Sequence, residues 1–205
     1  QFNLKNSFII NASKGIEHEH LYRISELFEN EFDVDSNRYC VLTGPSHAEL
    51  VAQRKYTALT AASNNTDFAI IVQDMFSSPY TRIYTTDDTA GSEIGGALKN
   101  VIAIATGISD GMDLGDNAKA GLMTRGLAEI SRLGAAMNAN PLTFSGLSGL
   151  GDLIVTCTSD HSRNRKVGLK LGRGEKPQNI MASTKMIAEG VNTSRSIAKL
   201  GEKSV

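Results

Sequence analysis

The segment IGGALKNVIAIATGIS, residues 94–109, divides the chain into two regions with different patterns. Its apolar residues recur at helical spacing, and Lys99 is the only charged residue among the sixteen. A helix that is apolar or small on every side is typical of a protein interior. We therefore predict a buried helix here.

Strand and helix patterns alternate along the residues that precede this helix. Short apolar runs that end at turn residues predict strands, and apolar residues at helical spacing predict helices. The predicted strands are residues 8–13, 39–43, 56–62 and 81–86, and the predicted helices between them are residues 21–32, 47–53 and 67–76. This alternation is typical of an α/β sheet.

Helical patterns replace the strands after Asp88. The predicted helices are residues 94–108, 119–137, 164–171 and 184–200. Gly107, Gly111 and Gly115 predict a loop between the first two, and the glycine-rich run 146–151 predicts another. Because 17 of the 19 glycines follow residue 90, composition and pattern change together. We predict an α/β region at residues 1–90 and an all-helical region at residues 91–205.

The composition excludes several classes of protein. With 40% hydrophobic residues among 205, the chain can bury a core, and its net charge of −1 does not favour nucleic acid or an anionic membrane. No apolar run approaches the roughly 20 residues that span a bilayer. The two cysteines are far apart, and the four histidines show no metal-ligand spacing. We expect a cytoplasmic protein with no metal, no nucleic-acid partner and no membrane insertion.

Two lysines are candidates for catalysis. Lys99 lies in the buried helix, where desolvation lowers the pKa of a lysine towards neutrality and suits it to acid/base work. The alternative is a lysine whose stem crosses apolar surface to reach water. Lys14 follows the first strand, at the sheet edge where α/β proteins bind ligands, although an exposed lysine in an ordinary turn explains it as well.

Three further segments could bind an anion or support these lysines. The turn GPSHA, residues 44–48, opens a helix whose N–H groups could hold a ligand, or it is a plain strand-to-helix turn. If a helix starts at Gly151, Asp152 and Thr156 share one face; an acidic first turn alone also explains Asp152. The run SRN, residues 162–164, combines an N-cap with an arginine and predicts a phosphate site, the alternative being a solvated basic face.

Five segments, taken in order, form a recognisable set. They are NASKGIE (11–17), LTGPSHAEL (42–50), GGALKNVIAIATGISDGM (95–112), LSGLGDLIVTCTSDHSRNRKVG (147–168) and AEGVNT (188–193). Together they resemble the bacterial-type NAD(P)-dependent glycerol-3-phosphate dehydrogenase family over nearly the whole chain. The resemblance implies interconversion of sn-glycerol 3-phosphate and dihydroxyacetone phosphate for glycerophospholipid precursor synthesis. The fold it implies is the C-terminal part of a Rossmann-like sheet domain followed by a helical substrate domain like that of 6-phosphogluconate dehydrogenase.

The resemblance also implies roles for individual residues. Lys99 matches the catalytic lysine that exchanges a proton with the carbonyl oxygen, Lys14 matches a second active-site lysine, and Asp152 matches the carboxylate beside the first. The residues implied in substrate binding are Lys14, Gly44, Ser46, Lys99, Asp152, Thr156, Ser162, Arg163 and Asn164. Those implied in binding NAD or NADP are Lys14, Ala48, Arg163, Ile187 and Glu189. Burial would lower the pKa of Lys99, whereas Asp152 would raise it.

One feature of the family is absent from these 205 residues. The motif G-x-G-x-x-G, which binds the cofactor pyrophosphate, does not occur. The resemblance therefore implies a fragment, with the first βαβ units before Gln1, the final helices after Val205, and little or no dehydrogenase activity by itself. Two alternatives stay open: a non-catalytic module for phosphate binding or oligomerisation, and a related β-hydroxyacid or 6-phosphogluconate-type dehydrogenase. The apolar helices also allow a homodimer.

Overall fold

The computed structural model describes residues 4–183 and 188–203, and its first half contains a four-stranded sheet. The strands are β1 (Ile9–Asn11), β2 (Tyr39–Thr43), β3 (Thr57–Ala62) and β4 (Thr81–Thr86), in that spatial order. β1 pairs with β2 and β3 pairs with β4 in parallel, whereas β2 and β3 are antiparallel. The predicted α/β class is confirmed, with one antiparallel pair in the sheet.

The lengths of the connecting helices explain these strand directions. α1 (Ile24–Phe32) and α3 (Thr66–Phe76) have 9 and 11 residues, enough to return the chain for a parallel strand. α2 (Ala48–Ala52) has only 5 residues, about 8 Å of helix, so the chain enters β3 near the end at which it left β2. The core between the sheet and α3 contains Cys40, Leu59, Ala61, Phe68, Val72 and Ile83.

The second half is helical and is organised around one long helix. α4 (Thr89–Gly111) has 23 residues and is buried along most of its length, as the segment 94–109 predicts. The α-helices that follow it are α5 (Gly115–Ala136), α6 (Asp152–Thr158), α7 (Arg163–Gly172), α8 (Pro177–Ser183) and α9 (Glu189–Lys203). A 3₁₀ helix at Pro141–Ser145 and a π-helix at Leu147–Gly151 lie between α5 and α6, so the loop predicted at residues 146–151 is wrong for all but Gly146. Helices α5, α6, α7 and α9 pack directly on α4, so this helix connects most of the helical region.

Helices α4 and α7 are in backbone contact, and this contact corrects the loop predicted at Gly107 and Gly111. Both glycines lie inside α4. A Cβ atom on Gly107 would lie 2.2 Å from the carbonyl oxygen of Arg165, and Gly168 on α7 is equally constrained. The glycines are therefore needed for close approach, as at other small-residue helix seams. The connection to α5 is only residues 112–114.

Other predicted boundaries differ for local reasons. α1 begins at Ile24 rather than at residue 21, because Leu21 has a φ of +65°, outside the helical region. α9 begins at Glu189, and the predicted start of that helix at residues 184–187 lies outside the described residues. The division at residue 90 stays a prediction. Within residues 4–183 and 188–203, none of the helices combines the length and hydropathy of a bilayer-spanning segment.

Candidate active site

Polar side chains converge on a cleft where the sheet meets the helices. The cleft has a volume of about 200 Å³, below the range of drug-sized sites, and so suits a small ligand. Its walls come from the residues after β1 and β2 and from α2, α4, α6, α7 and α9. The lining residues are Lys14, Ser46, His47, Ala48, Glu49, Lys99, Asn100, Thr156, His161, Ser162, Arg163, Asn164 and Glu189.

A buried carboxylate, Asp152, holds two lysines at this cleft. Lys99 Nζ donates a hydrogen bond to Asp152 Oδ1. Lys14 Nζ lies 2.7 Å from the other carboxylate oxygen, Oδ2, and 3.2 Å from the carbonyl oxygen of Gly44. Asp152 is 1% exposed and Lys99 is 6% exposed, so the two form an ion pair away from bulk water. Segments 138 residues apart in sequence thus meet at one carboxylate.

Thr156 fixes the direction of the Lys99 ammonium group. Its hydroxyl donates to the main-chain oxygen of Asp152 at 2.6 Å, one helical turn earlier on α6. The hydroxyl oxygen then accepts a hydrogen bond from Lys99 Nζ at 2.8 Å. The predicted i, i+4 relation of Asp152 and Thr156 is confirmed, and it places both acceptors on the face of α6 that meets α4.

Glycines allow the supporting segments to approach this cluster. Gly44 has a φ of +129°, a conformation that side chains disfavour, where the chain turns out of β2. A Cβ atom on Gly95 would lie 2.6 Å from the carbonyl oxygen of Ser148, and one on Gly96 would lie 3.1 Å from Thr43 Oγ1. Because α4 has no side chain at Gly95, the π-helical segment Leu147–Gly151 before α6 rests on its backbone, and this contact brings Asp152 beside Lys99. Gly96 leaves room in the same way for the end of β2.

The pKa of Lys99 is lowered from its ordinary 10.5 to about 8. Burial is the largest cause, because the ammonium group loses its hydration, and the positive charge of Lys14 acts in the same direction. Asp152 opposes both effects. Burial therefore outweighs the carboxylate, and Lys99 can change protonation state at mildly alkaline pH, as an acid/base group must.

The N-terminus of α7 forms the part of the cleft suited to an anion. Ser162 caps this helix, as predicted, and its Oγ accepts from Arg165 N at 3.2 Å. The N–H groups of Arg163 and Asn164 lie in the first turn, where the helix provides no carbonyl partner. The exposed side chain of Arg163 also lines the cleft. Helix N–H groups together with a guanidinium are suited to a phosphate.

The side chain of Asn164 is engaged within the protein. Its Nδ2 donates to Asn100 Oδ1 at 2.9 Å, and its Oδ1 accepts from Gly190 N at 2.9 Å. Asn100 Nδ2 donates in turn to Glu189 Oε2 at 3.2 Å. These bonds tie α4, α7 and α9 together beside Lys99. The Asn164 amide therefore positions the helices, and its main-chain N–H is the group with no partner from its own helix.

The remaining predicted residues line or flank the cleft. Ser46 Oγ donates to the carbonyl oxygen of Gly44 at 3.0 Å, and Ala48 is the first residue of α2. Glu189 is the first residue of α9 and also lines the cleft. Ile187 lies outside the described residues. The roles given to individual residues in substrate and cofactor binding stay predictions.

Sequence patterns alone missed Asn100, His47, Glu49 and His161, which also line the cleft. Asn100 is 2% exposed. Its position in an apolar helix, directly after the lone lysine, is the sequence signal that predicts this burial. The histidines drew attention only as metal ligands. Their rings lie 5.9 Å apart between centroids, a contact that no local pattern encodes.

Comparisons with known sequences agree with this arrangement. The model of the NAD-dependent glycerol-3-phosphate dehydrogenase C-terminus matches residues 88–205, and that of the N-terminus matches residues 1–69. The chain is 54% identical over 200 residues to the glycerol-3-phosphate dehydrogenase (NAD(P)+) of Pelotomaculum thermopropionicum, which covers 97% of the chain and 57% of that relative. It is 53% identical over 200 residues to that of Bacillus velezensis, with 97% and 58% covered.

Solved structures show the same likeness. A glycerol-3-phosphate dehydrogenase from Coxiella burnetii matches with a TM-score of 0.91 and 38% identity, over 96% of this chain and 59% of that one. The corresponding structure from Saccharomyces cerevisiae gives a TM-score of 0.83 and 27% identity, over 95% and 59%. The chain thus spans less than 60% of the length of these relatives. It belongs to the NAD-dependent glycerol-3-phosphate dehydrogenase family.

Proposed function

We propose that this chain carries the reacting centre of an enzyme that interconverts sn-glycerol 3-phosphate and dihydroxyacetone phosphate with NAD or NADP. The observation that carries the proposal is the buried pair of Lys99 and Asp152, joined by Lys14, in a cleft shared with the N-terminus of α7. Relatives at 54% and 53% identity are named for this activity. None of these comparisons favours the non-catalytic module or the related β-hydroxyacid dehydrogenase.

Lys99 is the proton donor in ketone reduction. Its Nζ gives a proton to the oxygen at C2 and takes one back in the reverse direction, and a pKa of about 8 keeps both forms accessible. Lys14 brings a second positive charge to the same carboxylate and so near the same oxygen, where it stabilises the developing negative charge. Asp152 and Thr156 keep the Lys99 ammonium in one orientation.

The start of α7 holds the substrate phosphate. Ser162 caps the helix, and the N–H groups of Arg163 and Asn164 are available for the phosphate oxygens. The Arg163 guanidinium adds a charge-assisted contact. Lys99 lines the same 200 Å³ cleft, so a substrate anchored at α7 shares that cleft with the proton donor.

The residues proposed for the cofactor are compatible with a ligand that carries phosphates. Lys14, Ala48, Arg163 and Glu189 line the cleft next to Lys99, and two of them are cations. Ile187 completes the proposed set. A bound nicotinamide would supply or accept the hydride at C2. No G-x-G-x-x-G motif occurs in the chain, so these residues would hold the reacting end of the cofactor.

We also propose the division into two units, the cytoplasmic location and the homodimer that were predicted from the sequence. The division at residue 90 into an α/β and a helical unit is supported by the start of α4 at Thr89 and by the family models, which end at residue 69 and begin again at residue 88. Cys40 and Cys157 are free thiols, which suits the reducing cytoplasm. A homodimer formed through apolar helices completes the proposal.

The test of the activity uses the chain completed with the N- and C-terminal segments of the Pelotomaculum relative. We expect this protein to oxidise NADH or NADPH when dihydroxyacetone phosphate is added, and Lys99→Ala to slow turnover by roughly 10³-fold. Lys166→Ala, at an exposed lysine of α7 outside the cleft, is the matched control and keeps the rate. A folded protein without turnover, or full activity in Lys99→Ala, would contradict the proposal.

A further inference from the structure

Two histidines at the cleft take no part in the mechanism above. His47 immediately precedes α2 and His161 lies two residues before α7. Their rings are in contact, with centroids 5.9 Å apart and planes inclined by 51°. His47 is half-buried, with Nε2 3.4 Å from the carbonyl oxygen of Val155, and His161 is exposed. The pair thus borders the cleft directly before the Ser162–Asn164 segment.

The charged residues that line the cleft with the pair are Lys14, Glu49, Lys99, Arg163 and Glu189. Asp160, next to His161 in the sequence, forms an ion pair with Arg165. Asp152 forms ion pairs with both lysines. Glu49 lies in the first turn of α2, where a backbone N–H group lowers the pKa of its carboxyl. Burial has the largest effect on the pKa of His47 and lowers it, and the Lys99 charge acts in the same direction, while the Val155 carbonyl and the Glu49 carboxylate oppose it. Without a ligand, the half-buried imidazole is therefore mostly neutral at pH 7.

We infer that the His47–His161 pair is a proton-dependent part of the phosphate site, which takes up a proton when glycerol 3-phosphate binds. This inference rests on the proposed function, because it assumes that the phosphate lies at the start of α7. Both rings border that position. A phosphate dianion there is an acceptor for an imidazolium N–H and adds negative charge beside both rings, which favours their protonated form. The contact between the rings disfavours two charges, so one proton is shared by the pair.

The size of the effect follows from linkage. If the dianion raises the pKa of one imidazole by about one unit, the affinity gains up to about tenfold at acidic pH, where the ring is protonated, and almost nothing at alkaline pH. At a pH between these limits the same shift takes up a fraction of a proton for each ligand bound. Lys99 contributes little to this number, because a group with a pKa of about 8 is already mostly protonated at pH 7.

Calorimetry of the 205-residue chain with glycerol 3-phosphate at pH 6, 7 and 8 tests the inference. The double variant His47→Gln, His161→Asn keeps polar side chains but cannot take up a proton at these positions. We expect wild type to bind several-fold more tightly than this variant at pH 6 and about equally at pH 8. The ratio at each pH cancels the ionisation of the ligand itself. His20→Asn, an exposed histidine outside the cleft, is the control and follows wild type.

A second measurement needs no variant and therefore does not depend on variant folding. Binding to wild type at pH 7 is repeated in two buffers with different ionisation enthalpies, which gives the net number of protons exchanged; adding the fraction that the ligand phosphate itself releases, known from its own titration, gives the number taken up by the protein. A clear uptake by the protein supports the inference; no uptake beyond the small share of Lys99, or an affinity ratio that stays constant with pH, overturns it. If wild type binds at every pH and the ratio of its affinity to that of the double variant does not change with pH, this inference alone is overturned. Wild type that binds at no pH overturns it together with the proposed phosphate site.

Discussion

Substituting Lys99 by methionine should change how the stability of the chain depends on pH. Lys99 is 6% exposed, and its pKa in the folded chain is about 8, against 10.5 for an unperturbed lysine. This difference of 2.5 pKa units means that the folded state is about 3 kcal/mol less stable, relative to the unfolded chain, when Lys99 is protonated than when it is neutral. Methionine has a similar length and no group that titrates, so the variant lacks the pH-dependent contribution of Lys99 to stability.

The unfolded chain binds the Lys99 proton more tightly than the folded chain does. The contribution of Lys99 to the free energy of unfolding is therefore least favourable below pH 8, rises between pH 8 and 10.5, and is constant above that window. Subtracting the variant from wild type removes the titrating groups that do not interact with Lys99; Lys14 and Asp152 do interact with it. The difference in unfolding free energy should rise by about 2 kcal/mol in favour of wild type between pH 8 and pH 10.

Urea unfolding followed by circular dichroism at pH 8, 9 and 10 measures this difference. Lys166→Met serves as the control, because Lys166 is exposed on α7 and outside the cleft. Its profile should run parallel to that of wild type. If the Lys99→Met profile is also parallel to wild type, Lys99 titrates as an ordinary surface lysine, and the reasoning from its burial is refuted.

Two further substitutions test packing and a buried polar network, with the free energy of unfolding as the readout. Gly107→Ala should cost about 2 kcal/mol, because the new Cβ would lie 2.2 Å from the Arg165 carbonyl oxygen; Gly121→Ala, with open space around it, should cost nothing. An undiminished stability in Gly107→Ala would contradict the α4–α7 contact. Glu93→Ala should cost about 3 kcal/mol, because Glu93 is 5% exposed and accepts from Tyr39 Oη at 2.6 Å. A loss below about 1 kcal/mol would show that this hydroxyl finds another acceptor.

Local patterns were enough to predict most elements of the fold. The apolar segment 94–109 predicts a buried helix, and α4 is buried there because its small residues admit neighbours on several sides. The same pattern misassigned Gly107 and Gly111, since glycine marks a loop and a close helix contact equally well. Only α7, more than 50 residues later, distinguishes the two. The antiparallel direction of β3 likewise depends on where α2 ends, which the sequence of β3 does not encode.

The candidate site could be predicted as far as residue type and helical spacing allow. A lone lysine in an apolar helix and an Asp–Thr pair one turn apart are local signals, and the structure joins them at one carboxylate. The balance between burial and Asp152 at Lys99 could not be predicted, because it depends on how completely the cluster is covered. The contact between His47 and His161 lies beyond any local pattern, since separate loops bring the rings together.

The most direct test is the pH dependence of dihydroxyacetone phosphate reduction in the completed enzyme, compared between wild type and Asp152→Asn. In wild type the rate should fall above a pH of about 8, as Lys99 loses the proton that it donates. Asp152 opposes the effects of burial and of Lys14 on the Lys99 pKa, so its removal should move this fall about 1 to 2 pH units lower. An alkaline limb at the same pH in both proteins would contradict proton transfer by Lys99.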